Sequence, residues 1–290
     1  MIISRRSAVL AVAASVVATG PAFAQVGRGR CRQRRQGQAN GASDVPHVRT
    51  PVGPDPLQFY DLYGGDADGP ILAFIHGGGW SMGDATMVHA LPDYARRHDL
   101  TLASISYRLV PDVSPREQAQ DVAASVAHLR RHHPGRRIVL LGHSAGAHLA
   151  ALVGVDANYL DAVGLAPADL AGVILLDGAG YDATGDRGGG VSGRVLDRLY
   201  TDAFGDQAAA LSPTLLVRPG QAYPPFLIFH IESRADSRGQ SQGMAEALRA
   251  AGGRAEVVVA PADSHRDINV EFGIAGDAEG ERAARFIAGG

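Results

Sequence analysis

One serine of the chain stands in a Gly-x-Ser-x-Gly pattern, at residues 142–146, which read Gly-His-Ser-Ala-Gly. An apolar run at 138–141 precedes the pattern and a helical run follows it, as in the tight strand-to-helix turn that exposes a nucleophilic serine. The flanking positions must be small because such a turn packs closely against neighbouring backbone. Ser144 is therefore the candidate nucleophile. The alternative is a glycine-rich turn with an unreactive serine.

A second glycine motif follows another apolar run. Residues 76–80 read His-Gly-Gly-Gly-Trp, directly after the run at 71–75. Consecutive glycines let backbone N–H groups approach a substrate carbonyl and stabilise a tetrahedral oxyanion. A phosphate-binding loop would need Gly-x-Gly-x-x-Gly at the start of a helix, and Trp-Ser-Met at 80–82 does not supply that spacing. The motif therefore predicts an oxyanion hole.

A serine nucleophile of this kind needs a histidine base later in the chain. Three histidines follow Ser144, namely His148, His230 and His265. His148 lies one helical turn beyond the serine, and His230 ends an apolar run, so both are expected to have structural roles. His265 follows the last apolar run after a short loop, where a mobile base fits best. His265 is the candidate base.

The acid that orients the base is expected after the apolar run at 226–229. Glu232 and Asp236 both qualify. Asp236 stands immediately before a predicted helix, where a loop carboxylate can turn back toward the histidine N–H. We favour Asp236. Asp263 and Asp177 are further candidates, with surface or capping roles as their alternative interpretation.

Short apolar runs alternate with helical patterns after residue 50. Runs this short and this continuous are typical of buried parallel strands. Strands are predicted at 57–63, 71–75, 102–107, 138–141, 173–176, 226–229 and 255–259, and helices at 117–132, 145–153 and 240–251. The alternation predicts one doubly wound α/β domain with a mostly parallel sheet, in which the first strand pair could be antiparallel. Residues 181–223 fit no strand–helix unit and predict an insertion or small cap over the carboxyl edge of the sheet.

The two glycine motifs resemble those of serine carboxylesterases of the α/β-hydrolase superfamily, in particular members similar to acetyl-xylan and feruloyl esterases or to kynurenine formamidases. Ser-Tyr-Arg-Leu at 106–109 and the spacing to Asp236 and His265 add to the resemblance, which covers about residues 50–290. It implies an α/β-hydrolase fold with Ser144 as nucleophile, His265 as general base and Asp236 as its orienter. Many relatives carry His-Gly-x-x-Asp where residues 230–236 read His-Ile-Glu-Ser-Arg-Ala-Asp, so the chain departs from the pattern at the acid.

The resemblance also implies the groups that bind the substrate. It assigns the oxyanion hole to the N–H groups of Gly78, Gly79 and Ala145, with Gly77 as an alternative to Gly79. Trp80 and Tyr107 would be pocket walls, although core packing is an equally good interpretation of Tyr107. The implied reaction is hydrolysis of short-chain acyl esters, acetyl, aryl or sugar esters among them, through an acyl-enzyme. A formamidase or amidase would use the same residues, and a non-catalytic binding module would be expected to lack a triad member.

No cofactor and no metal are expected. All 27 basic residues are arginines, and the absence of lysine excludes Walker A loops and Schiff-base chemistry. The single cysteine, Cys31, permits neither an internal disulfide nor a multi-cysteine zinc site. The sequence also lacks the zinc-binding pattern His-Glu-x-x-His.

Residues 1–24 have the pattern of a secretory signal peptide. Arg5 and Arg6 precede an apolar run at 8–18, and Ala-Phe-Ala at 22–24 forms a cleavage site. The run is too short for a membrane-spanning helix, which needs about 20 residues. The paired arginines fit a twin-arginine signal as well as an ordinary Sec signal. We therefore expect a periplasmic or secreted protein without stable membrane insertion.

Residues 25–49 are predicted to form a flexible arginine-rich tail ahead of a catalytic domain at 50–290. The tail offers no aromatic rings on which bases could stack, so no nucleic-acid partner is expected. Residues 1–35 hold seven arginines and no acid, which leaves 20 basic against 30 acidic residues in the rest of the chain. Such an acidic domain favours a neutral small-molecule ester as its partner. A monomer or a homodimer is expected.

Overall fold

The structure is a computed structural model, and it describes residues 45–64, 68–185 and 190–289. These residues belong to one unit, Gln38–Gly290. The predicted signal peptide at 1–24, with Arg5 and Arg6, and residues 25–44 of the predicted tail, with Cys31, lie outside the described residues.

An eight-stranded sheet organises the described residues. Its strands are β1 (Val48–Pro51), β2 (Phe59–Tyr63), β3 (Ile71–Ile75), β4 (Thr101–Ile105), β5 (Ile138–His143), β6 (Gly172–Leu176), β7 (Phe226–Ile231) and β8 (Ala255–Ala260), in the spatial order β1-β2-β4-β3-β5-β6-β7-β8. The pairs β1–β2 and β2–β4 are antiparallel and all others are parallel. The predicted α/β-hydrolase fold, a mostly parallel sheet with an antiparallel start, is confirmed.

Strand β1 was not predicted, and it shows that the expected tail boundary after residue 49 is wrong. The strand is short, mostly exposed and polar, so it lacks the apolar run that identifies the other strands. Cross-strand contacts hold it. Arg49 donates two hydrogen bonds of 2.8 Å to the buried carboxylate of Asp61 and lies 3.8 Å above the ring of Phe59. Folded backbone therefore begins within the predicted tail.

Nine α-helices accompany these strands in the described part of the chain. They are α1 (Leu91–Arg97), α2 (Pro115–His132), α3 (Ala145–Val155), α4 (Ala157–Asp161), α5 (Gly190–Phe204), α6 (Pro213–Leu216), α7 (Ala235–Ala250), α8 (Asp267–Val270) and α9 (Ala278–Ala288). Helix α2 begins at a capping box, in which Ser114 and Glu117 satisfy each other's backbone N–H groups. The helices at 117–132, 145–153 and 240–251 are confirmed as α2, α3 and α7, each longer than predicted.

The strands bury alternate residues on opposite faces of the sheet. In β3, Ile71, Ala73 and Ile75 belong to the apolar cluster that contains residues of α2, α3 and α7. Leu72 and Phe74 belong to the cluster that contains residues of α1, α8 and α9. Two covered faces explain why the central strands are apolar throughout. No helix among the described residues is both long and apolar enough to cross a bilayer.

The predicted insertion lies between β6 and β7. It contains α5, two short 3₁₀ helices (Gly205–Gln207 and Ala209–Leu211) and α6. Tyr200 and Phe204 of α5 pack edge-on against the indole of Trp80, with ring centroids 5.4 and 4.8 Å away. The insertion thus rests directly on the loop that follows β3.

Candidate active site

Ser144 occupies the turn between β5 and α3 with a positive φ of 55°. The turn is tight enough to exclude side chains on both flanks. A Cβ at Gly142 would lie 2.3 Å from the carbonyl oxygen of Gly146, and one at Gly146 would lie 2.1 Å from that of Ile75. The glycines therefore permit the strained turn that presents the serine, as the sequence pattern predicts.

His265 lies in the loop between β8 and α8, and its Nε2 is 2.9 Å from Oγ of Ser144. The structure thus brings the predicted nucleophile and base within hydrogen-bond distance. His143, the residue before the serine, donates from Nε2 to the carbonyl oxygen of His265 at 2.9 Å. Burial, with the neighbouring His265, lowers the pKa of His143 to about 3, so this ring stays neutral and acts as a fixed support for the loop.

The carboxylate beside His265 belongs to Asp177, which directly follows β6. Its Oδ2 lies 2.6 Å from Nδ1 of His265. Its Oδ1 accepts from the hydroxyl of Ser237 at 2.5 Å and from the N–H of Ile231 at 3.3 Å. Burial alone would raise the pKa of Asp177, but its bonds to His265 and Ser237 and the charge of Arg234 outweigh burial and hold that pKa well below its usual range.

The assignment of Asp236 as the orienting acid is therefore corrected. Oδ2 of Asp236 accepts from Nη2 of Arg234 at 2.7 Å, in the first turn of α7. Arg234 occupies the position that the pattern His-Gly-x-x-Asp gives to its aspartate, and Asp236 lies beyond it, 39% exposed. Glu232 pairs with Arg238 at the surface.

A signal for Asp177 was present in the sequence. The residue stands at the end of a predicted strand, and the carboxyl ends of neighbouring parallel strands meet at one edge of the sheet. Strand β6 pairs directly with β5, which leads into Ser144, whereas β7 is one strand further away. Asp263 contributes instead to a surface depression together with Glu232.

The other two histidines have structural contacts, as expected. His148 donates from Nε2 to the carbonyl oxygen of Leu211 at 2.7 Å, and its Nδ1 accepts from the indole of Trp80 at 3.2 Å. His148 therefore connects the insertion to the loop after β3. Burial lowers its pKa to about 4. His230 is buried at the end of β7.

The glycine loop after β3 lies against the nucleophile. A Cβ at Gly77 would be 3.1 Å from Cβ of Ser144. Gly78 and Gly79 have φ values of 126° and 58°, which favour glycine. Ala145 is the first residue of α3, so its N–H has no partner within the helix. These N–H groups suit an oxyanion hole, with Gly77 still the alternative to Gly79.

Trp80 and Tyr107 do not line a pocket, contrary to expectation. Both are essentially unexposed, at 0% and 1% of their surface. The hydroxyl of Tyr107 donates to the carbonyl oxygen of His76 at 2.9 Å, and its ring stacks on that of His76 at 4.3 Å. Trp80 anchors the far end of the same loop against α5. The two rings are buried because large aromatic side chains gain much from apolar packing in the core. From there they pack against the glycine loop and support it.

Leu199 was not singled out from the sequence, yet it lies next to the glycine loop. A Cβ at Gly79 would be 2.8 Å from Cδ1 of this leucine in α5. Helix α5 has an apolar face, but it was not predicted from the sequence because it begins in a glycine-rich stretch. Among the described residues, no group of three or more His, Cys, Asp or Glu side chains could hold a metal ion.

Comparisons with known proteins agree with the fold. A family model described as alpha/beta hydrolase fold matches residues 72–268. A probable isoprenylcysteine alpha-carbonyl methylesterase of Arabidopsis thaliana is 27% identical over 256 residues, which cover 77% of this chain and 52% of that protein. The carboxylic ester hydrolase LipN of Mycobacterium tuberculosis is 36% identical over 111 residues, which cover 36% of this chain and 29% of that protein.

Among solved structures, esterase B from Lactobacillus Rhamnosis superposes with a TM-score of 0.67 at 26% identity, over 84% of this chain and 86% of that chain. The match therefore extends over nearly all of a solved esterase. Of the two sequence relatives, this chain spans about half the length of the methylesterase and less than a third of LipN.

Proposed function

The chain belongs to the α/β-hydrolase fold family, and from that premise we propose that it is a serine carboxylesterase that hydrolyses short-chain acyl esters. One observation carries the proposal. The side chains of Asp177, His265 and Ser144 form a continuous hydrogen-bonded series, with distances of 2.6 and 2.9 Å, beside the glycine loop. Series of this kind activate a serine for acyl transfer. Both sequence relatives reported above are named as ester hydrolases, which supports an ester substrate.

In the first step, Oγ of Ser144 attacks the ester carbonyl while Nε2 of His265 takes its proton. Asp177 accepts from Nδ1–H of the ring and stabilises the imidazolium that forms. Negative charge develops on the carbonyl oxygen, and the N–H groups of the glycine loop and Ala145 bind it. His265 then protonates the leaving alcohol, which departs and leaves an acyl-enzyme.

In the second step, water replaces the alcohol. His265 removes a proton from the water, which attacks the acyl carbonyl through a second tetrahedral intermediate in the same oxyanion hole. His265 then returns the proton to Oγ of Ser144, and the carboxylic acid is released. No cofactor takes part in this scheme.

The proposed substrate is a neutral ester with a short acyl group, such as an acetyl, aryl or sugar ester. Leu199 lies against Gly79 of the proposed oxyanion hole, where its side chain would limit the space for a long acyl chain. Residues 36–290 carry 20 basic against 30 acidic residues, which disfavours anionic substrates. The sequence pattern of residues 1–24 supports action in the periplasm or outside the cell.

The direct test is hydrolysis of p-nitrophenyl acetate by the wild type and by Ser144→Ala. We expect kcat of the variant to fall by a factor of about 10⁶, the order seen when a triad serine is removed. A variant that keeps the wild-type rate would refute the proposal. A panel with N-formylkynurenine beside short acyl esters tests the amidase alternative, since the same residues serve both. Faster cleavage of the formamide would reassign the enzyme as a formamidase.

A further inference from the structure

One cation contacts both the acid and the base of the proposed triad. Nη1 of Arg234 lies 2.7 Å from Oδ2 of Asp177 and 2.8 Å from Nδ1 of His265. At the other end of the guanidinium, Nη2 donates to Oδ2 of Asp236 at 2.7 Å. Arg234 is thus fixed between a buried carboxylate and a partly exposed one, within the hydrogen-bonded series that the mechanism uses.

The remaining donors to Asp177 come from the same short segment, residues 231–237. Oδ1 of Asp177 accepts from the N–H of Ile231, the last residue of β7, and from the hydroxyl of Ser237 in the first turn of α7. Arg234 lies midway between these two residues. The segment after β7 therefore holds both oxygens of Asp177 and fixes the rotation of the carboxylate. Oδ1 accepts from Ile231 and Ser237, and Oδ2 accepts from Arg234 and faces His265.

The contacts around Oδ2 also favour one tautomer of His265. Arginine carries hydrogens on all its side-chain nitrogens and never accepts a hydrogen bond. A bare Nδ1 of His265 would place two acceptors, Nδ1 and the ionised Oδ2 of Asp177, only 2.6 Å apart, whereas a protonated Nδ1 makes a charge-assisted hydrogen bond to that carboxylate. Nδ1 therefore keeps its proton and donates to Asp177, which leaves Nε2 free to accept the proton of Ser144.

We propose that Arg234 is a positioning residue of the hydrolytic site, which acts through Asp177 by holding its Oδ2 against Nδ1 of His265. The inference rests on the proposed function, because it gives a part to a residue of that same site. The charge of Arg234 is among the causes that lower the pKa of Asp177, so the same contact keeps the buried carboxylate ionised.

The first test is steady-state kinetics of Arg234→Met on p-nitrophenyl acetate. Methionine keeps an unbranched side chain but removes the charge and the donors. We expect kcat to fall by about 10², as for a small misplacement of a catalytic group, and KM to stay within about twofold. Arg234→Lys restores the charge without the planar fork and should recover about tenfold of that loss. Arg238→Met, in the first turn of the helix that follows Arg234 and paired with Glu232 at the surface, is the matched control and should keep the wild-type kcat.

The second test asks whether Arg234 acts through Asp177. In the Asp177→Asn background, Arg234→Met should change kcat by less than about twofold, because residues that act as one unit are not additive. Equal losses from Arg234→Met in both backgrounds would overturn the proposal, as would a wild-type or raised kcat in the single variant. If Arg234→Met does not fold, Arg234→Lys carries the same cycle. An inactive Ser144→Ala beside a fully active Arg234→Met would overturn the role of Arg234 alone and leave the esterase proposal standing.

Discussion

The carboxylate of Asp177 lies 2.6 Å from Nδ1 of His265, although 88 residues separate them in the chain. The two residues follow different strands, β6 and β8, whose carboxyl ends lie at the same edge of the parallel sheet. The contact completes a series that ends at Ser144, and it determines which acid the chemistry should depend on.

Asp177→Asn is expected to lower kcat by about 10⁴, because an amide at this position no longer favours the histidine tautomer that accepts the serine proton. Asp236→Asn removes only the outer partner of Arg234 and should lower kcat by less than about tenfold. Both are measured with a soluble acetyl ester. A larger loss in Asp236→Asn than in Asp177→Asn would restore the acid expected from the sequence.

The comparison of these two aspartates shows what the sequence could and could not predict. Ile71–Ile75 and the other central strands were predictable because their apolar residues are buried on both faces. Ser144 was predictable from its glycine flanks, and His265 from its place after the last strand. The acid was predicted wrongly, since Asp177 and Asp236 both come after a strand and chain order alone does not say which of these side chains turns toward the base. The one signal for Asp177 was its place at the end of the strand next to β5.

Strand β1 and helix α5 are among the elements that were not predicted, and each was missed for a physical reason. Strand β1 is a short polar edge strand, held by the pair of Arg49 with Asp61 and not by an apolar run. Helix α5 begins in a glycine-rich stretch, and its packing against Trp80 depends on tertiary contacts that no local pattern encodes. The same tertiary packing buries Trp80 and Tyr107, which the sequence resemblance gave to the substrate pocket.

Gly77→Ala should impair catalysis without unfolding the protein. The added methyl group would lie 2.9 Å from Nδ1 of His143 and 3.1 Å from Cβ of Ser144, so it would displace the nucleophile or the loop. We expect a fall in kcat of about 10², typical of a misplacement near 1 Å. Kinetics on p-nitrophenyl acetate measure it.

Gly243→Ala is the matched control for that substitution. A Cβ at Gly243, within α7, meets nothing within 4 Å. The change should leave kcat unaltered and stabilise the protein by about 0.5–1 kcal/mol, since alanine favours a helix interior over glycine. An unimpaired Gly77→Ala would show that the glycine loop does not crowd the serine.

Leu199→Ala should widen the range of acyl chains accepted. The side chain of Leu199 covers Gly79, so its truncation opens space beside the oxyanion loop. We expect the ratio of kcat/KM for an octanoyl ester to that for an acetyl ester to rise by about tenfold. One or two methylenes in an apolar pocket typically change selectivity by about this factor. Val195→Ala, exposed on the same helix, should leave the ratio as it is in the wild type. An unchanged ratio in Leu199→Ala would place the acyl pocket elsewhere.

Acid should destabilise the contact between the insertion and the glycine loop. His148 must be neutral to accept from Trp80, and burial lowers its pKa from 6.5 to about 4. The unfolded chain therefore binds more protons between these two values, and the free energy of unfolding falls as pH drops through this window. His76 and His143, with pKa values lowered by burial to about 4 and about 3, add to the same trend.

His148→Gln tests this dependence, because a glutamine amide can both accept from Trp80 and donate to Leu211 without titrating. Urea unfolding at pH 7 and pH 5 should show a smaller loss of stability in the variant than in the wild type. His132→Gln, an exposed change in α2, should behave as the wild type does. An identical loss in His148→Gln would mean that this histidine does not link pH to stability.

The central claim, that Ser144 forms a covalent acyl-enzyme, is tested most directly by labelling the purified protein with a fluorophosphonate ester and locating the adduct by peptide mass spectrometry. The account predicts one phosphonyl group per chain, on Ser144, at a rate lowered by about 10⁴ in Asp177→Asn and absent in Ser144→Ala. Folded wild-type protein that remains unlabelled, or that carries the label on another residue, would contradict it.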